Sequence, residues 1–207
     1  MNPIYVLAAI VIGFLILRLL ATTFFRKVGK TALAKQPDEI HLQRVEGHAW
    51  RNADAIAALE APLAVKGFTV TGTYKIPEML PLALRLLAKT PEASYACIYE
   101  HEKAGTWVET FSRYQDGTGI TYTITPARGL KPRPGHPVVH FPRLGSGELY
   151  ARFIRERPLG ALEHIRSEEL ARYFERSYAE SMAWRKQERI SAREVARVAA
   201  SRKPSSP

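Results

Sequence analysis

Glu100, His101 and Glu102 are consecutive, and Glu109 follows in the next apolar-alternating segment. Carboxylates beside an imidazole can exchange protons, so these four side chains are the chain's candidates for general acid–base chemistry. The competing account is simple: charged residues gather at strand ends beside turns because water solvates them there, and nothing in the sequence marks a cleft or a perturbed pKa. His136 and His140 have the four-residue spacing that would set two imidazoles over one metal on a helix. Pro137 lies between them, and in an extended chain the pair stands roughly 13 Å apart, so no metal and no cofactor are expected. Cys97 lies between Tyr95 and Tyr99 on one strand face and reads as a small buried hydrophobe, not a nucleophile. Asp116, Gly117 and Gly119 could suggest a phosphate-cradling loop, but no helix start with lysine follows, and a hairpin turn accounts for them better. Tyr95, Trp107, Phe111, Tyr114 and Tyr122 could stack RNA bases, yet the basic and glycine-rich context of such platforms is missing and core filling is expected.

The elements that must position these groups begin with an apolar run, residues 4–25, whose only ionisable side chain is Arg18. About 22 residues at about 1.5 Å each span roughly 33 Å, the thickness of a bilayer's hydrocarbon core. Arg18 lies near the C-terminal end of the run, where its stem can carry the charge to the headgroups. Arg26, Lys27, Lys30 and Lys35 follow with no acid before Asp38, so the positive-inside bias puts the N-terminus outside and the rest of the chain in the cytoplasm. The start has no basic n-region and the run ends in bulky residues, which argues for a retained anchor over a cleaved signal peptide.

The formal net charge is +10, and for an anchored chain the nearest counter-charge is an anionic lipid leaflet. Arg18, Arg26, Lys27, Lys30 and Lys35 are the expected membrane-surface contacts. Nucleic acid is a poor partner, because glutamates interleave with the arginines from Arg152 onward. The single cysteine suits a reducing compartment.

Downstream, residues 26–37 read as a basic juxtamembrane connector, 38–200 as an α+β domain with C-terminal helices, and 201–207 as a disordered tail. Asp38 could cap a helix from Glu39. Asn52 to Val65 has apolar residues at helical spacing, with Pro62 in the last turn. Phe68 to Ile76 alternates apolar residues with threonines, as a strand does. Leu82 to Ala88 reads as a short apolar helix. Ser94 to Glu100, Thr106 to Tyr114 and Ile120 to Thr125 read as a meander. Pro126 to Gly147 excludes long regular elements. Helices are expected over Glu148 to Arg155, after Ser167, and from Ser191, where Glu194 completes a capping box.

These elements predict a two-layer α+β domain, a roughly four-stranded antiparallel meander sheet with helices over its one apolar face. The functional expectation is a single-pass membrane protein whose cytoplasmic domain binds a partner protein or ligand without doing chemistry. The alternative is a membrane-associated enzyme using Glu100, His101, Glu102 and Glu109.

Overall fold

The computed structural model of the chain describes residues 36–126, 131–188 and 194. The apolar run, most of the basic connector, the start of the last expected helix and the tail lie outside the described residues, as do Arg18, Arg26, Lys27, Lys30 and Lys35. Among the described residues, no helix is long and apolar enough to cross a membrane. The chain divides into two compact units. One comprises Met1–Gln36, Arg128–Lys131 and Arg185–Pro207; within it the Lys186 ammonium donates to the Gln36 carbonyl at 3.1 Å. The other, Pro37–Ala127 with Pro132–Trp184, carries the sheet.

Seven strands make that sheet, in the order in which they occur in the chain. They are β1 (Gln43–Arg44), β2 (Thr69–Lys75), β3 (Leu82–Lys89), β4 (Ser94–His101), β5 (Gly105–Arg113), β6 (Gly119–Thr123) and β7 (Val138–His140). Neighbours from β1 to β6 pair antiparallel, and β7 joins β6 in parallel. The helices are α1 (Ala53–Val65), α2 (Ser146–Glu156) and α3 (Leu170–Gln187). Asn52 starts α1 by accepting from the Ala55 amide at 3.0 Å, the capping that its side chain favours.

The α+β class holds, but the sheet is larger than the sequence suggests and mixed, not purely antiparallel. It is also covered on both faces. Leu84, Leu86, Tyr95, Cys97 and Phe111 bury one face with Leu170, Phe174 and Tyr178 of α3. Leu87, Ala96, Ile98, Val108 and Tyr122 bury the other with Ile56 and Leu63 of α1 and Leu149 and Phe153 of α2.

That double burial explains the misread segment. Leu82–Lys89 is a strand, not a helix, because a central strand covered on both sides is apolar at nearly every position and loses its period of two. Nor does a helix start at Glu39: Ile40 is 2% exposed in the core and β1 follows it in extended form. The proline-rich crossing contributes β7 as an edge strand, three residues long, a length that leaves almost no periodic signal.

Polar groups drawn into this interior need partners. Tyr95 is fully buried; its hydroxyl donates to the Ile165 carbonyl at 3.1 Å and accepts from the Ile165 amide at 2.6 Å. Tyr95→Phe strands both backbone groups while keeping the ring, so we expect a loss of about 1–3 kcal/mol in chemical denaturation. A loss below about 0.5 kcal/mol would show that this clamp between β4 and the segment before α3 is dispensable.

Candidate functional site

The structure does not gather Glu100, His101, Glu102 and Glu109 into one place. Glu100 is 6% exposed and its carboxylate accepts from the amides of Arg51 at 3.0 Å and Asn52 at 2.9 Å, which fixes the entry to α1. The His101 imidazole accepts from the amides of Lys103 and Ala104 through Nδ1 and shapes the β4–β5 turn. Glu102 lies 3.5 Å from an Arg51 nitrogen at the surface. Glu109 is opposite Cys97 in the β4–β5 register and therefore faces α3, whereas Glu100 follows Ala96 and Ile98 on the opposite face.

Glu109 belongs to a cross-strand row, Cys97, Glu109, Thr123 and His140, on the α3 face. Burial pushes the Glu109 carboxyl up, opposed by the Tyr99 hydroxyl that donates to it at 3.1 Å and by Arg113. Burial pushes the Cys97 thiol well up, which leaves it a poor nucleophile and accords with the hydrophobe expected from sequence. His140 Nδ1 lies 2.9 Å from the Thr125 carbonyl oxygen, and His136 sits in the loop ahead of β7. Among the described residues no group of three or more His, Cys, Asp or Glu side chains could hold a metal ion. Asp116 and Gly117 form the expected hairpin turn, with the Asp116 carboxylate accepting from the Thr118 amide and hydroxyl at 2.9 and 2.7 Å. The aromatics divide between the two faces: Tyr95 and Phe111 on one, Tyr114 and Tyr122 on the other.

A different group of side chains converges where β5, β6 and α3 meet. Arg113 closes β5 on the same face as Phe111 and Glu109. Its guanidinium lies against Gly119, where an added Cβ would clash with Nη1. The Phe111 and Tyr173 rings stand 5.2 and 6.0 Å from Cζ. Nη2 reaches the Ser177 hydroxyl at 3.3 Å, Nη1 makes a long contact of 3.4 Å to the Ser112 carbonyl, and Nε is buried without a partner. No carboxylate pairs with Arg113 among the described residues.

Arg133 enters the same space from the loop before β7. Its side chain is 18% exposed, Nη1 pairs with Glu180 of α3 at 2.9 Å, and its Nε is also buried and unpartnered. His136 feels both: burial first, then Arg133 and Arg113, lower its pKa to about 4. Burial likewise lowers the Arg113 pKa, although a guanidinium keeps its proton at neutral pH.

Sequence reasoning overlooked Arg113 and Arg133. The only trace was parity, since Arg113 falls in the inward register of Glu109 and Phe111. Nothing local could place Arg133 and Glu180 together, because they are 47 residues apart.

No family model, curated protein or solved structure matches this chain. Two outcomes test the geometry. Glu100→Gln removes one of two acceptor oxygens facing buried amides, and a loss of about 1–3 kcal/mol is expected on denaturation; an unchanged midpoint would refute the capping role. His136 binds its proton near pH 4 when folded and near 6.5 when unfolded, so protons favour the unfolded chain. Its contribution is negligible above about pH 6.5 and grows as pH falls toward 4, to roughly 1–2 kcal/mol after allowing for solvent screening. His136→Gln should flatten that part of the stability–pH curve, and an identical curve would contradict the assignment.

Proposed function

We propose that this chain is a single-pass membrane-anchored protein whose α+β domain is a binding module at the cytoplasmic surface, not a catalyst. Residues 4–25 hold it in the bilayer, and Arg18, Arg26, Lys27, Lys30 and Lys35 lie against anionic headgroups. One observation supports binding most strongly: Arg113 is a largely enclosed cation with no carboxylate partner, at a position where Gly119 leaves room for it. An isolated charge removed from water is costly, and such a cost persists where a ligand or ion offsets it. The acid–base alternative has weaker support, because Glu100 is committed to two backbone amides and Glu109 faces the other side of the sheet.

Full-length protein with a reporter after Pro207 tests the topology. Membranes washed in carbonate should retain the chain, and the reporter should register on the cytoplasmic side. Replacing Arg26, Lys27, Lys30 and Lys35 with glutamine should misorient a substantial fraction and weaken contact with anionic lipid by about 1 kcal/mol per residue. Release of the wild-type chain by carbonate, or a reporter on the far side, would contradict the reading.

A further inference from the structure

We propose that Arg113, Arg133 and His136 form a binding site for a phosphate-class oxyanion. This rests on the reading of the domain as a binding module and names the ligand chemistry of that module.

The charge balance points to an anion. Arg113 and Arg133 bring two positive charges, and the one carboxylate paired with either of them among the described residues is Glu180, itself 48% exposed. Asp116 faces the same region but is engaged by Thr118, and Glu109, whose carboxyl burial pushes up while Tyr99 and Arg113 oppose that shift, forms no ion pair with either arginine. His136, whose pKa is lowered by burial and then by both arginines, is uncharged at neutral pH, so it contributes one N–H donor and no third charge.

The donors point the same way. A guanidinium carries five N–H donors; Arg113 meets the Tyr173 hydroxyl and makes long contacts at 3.3 and 3.4 Å, while its Nε has no partner. Were the arginine present for packing alone, a methionine or leucine could fill the space beside Phe111 and Tyr173 without burying a charge. The fixed fork of arginine suits an oxyanion in particular, and a tetrahedral phosphate has enough oxygens to meet both forks together with the Ser177 hydroxyl.

Two open clefts border residues that touch Arg113, and neither is lined by Arg113, Arg133 or His136 themselves. Tyr173 lines an open polar cleft of about 310 Å³ together with Arg172 and Arg176 and with the acidic Glu163 and Glu169. Gly119, on which the Arg113 guanidinium rests, lines a second cleft of about 330 Å³. The anion could be a soluble phosphate or the phosphate of a lipid headgroup, since the side chains would meet the same oxygens.

The test uses the full chain in phosphatidylcholine nanodiscs, with the His136 imidazole followed by NMR while inorganic phosphate is added against chloride at equal ionic strength. We expect a saturable response in which the His136 midpoint rises from about 4 by roughly one unit or more. Arg113→Gln and Arg133→Gln should each weaken phosphate binding about tenfold or more, whereas Arg166→Gln, on the surface, should leave it unchanged. Gly119→Ala keeps every charge but displaces the guanidinium, and should weaken binding comparably even where Arg113→Gln fails to fold. The same rise in nanodiscs containing phosphatidic acid, without added phosphate, would assign the site to a headgroup; a rise only with inorganic phosphate would assign it to a soluble anion. An absence of saturable response to both, or equal affinity in the Arg133→Gln and Gly119→Ala variants, overturns the site. If a partner protein is retained on native membranes while phosphate has no effect, this inference falls and the binding-module reading survives.

Discussion

Covering the sheet on both faces sets the terms for everything else in the domain. With α3 on one side and α1 and α2 on the other, β3 and β4 are removed from water at almost every position, so each polar group on the inner strands must find a partner in protein or bring one in. Most do. Tyr95 is satisfied by Ile165, Glu100 by two amides ahead of α1, and the buried hydroxyls of Ser94 and Ser112 by the Arg157 guanidinium at 3.0 Å. These contacts tie the loops and helices to the sheet, and they explain why residues that could do chemistry are engaged in holding the fold.

Arg113 stands apart from that pattern. Its neighbours are two aromatic rings, one of them with its hydroxyl, a glycine, a serine hydroxyl, a second arginine and, without an ion pair, the Glu109 carboxyl, and its Nε has no acceptor. A hydrophobic side chain would be cheaper there, so the arrangement makes physical sense when something negative visits it. His136 resists taking a proton first because it is partly buried and then because two guanidiniums stand near it, with Glu180 and Asp116 opposing them.

Legibility in the sequence followed the physics of exposure. Helix α1 was readable from its capping asparagine and its periodic apolar residues, and β2, β4, β5 and β6 from alternation or from turn signals such as Asp116–Gly117. Leu82–Lys89 was not, because a doubly covered strand built of leucine and alanine has the composition of a helix. The Glu100 to Glu109 group attracted attention by residue type alone, and only the pairing register shows the two ends on opposite faces. Arg133 and Glu180 meet through tertiary structure, so no spacing along the chain announces them.

At a membrane surface, the proposed oxyanion site and the basic juxtamembrane residues would be complementary: the first selects an anion by shape and donors, the second responds to net surface charge. Diffraction from crystals of the full chain soaked in tungstate, a heavy tetrahedral oxyanion, tests the central claim most directly through its anomalous signal. A peak within hydrogen-bonding distance of the guanidinium nitrogens of both Arg113 and Arg133 is the predicted result. A map with tungstate elsewhere and none at that position would contradict it.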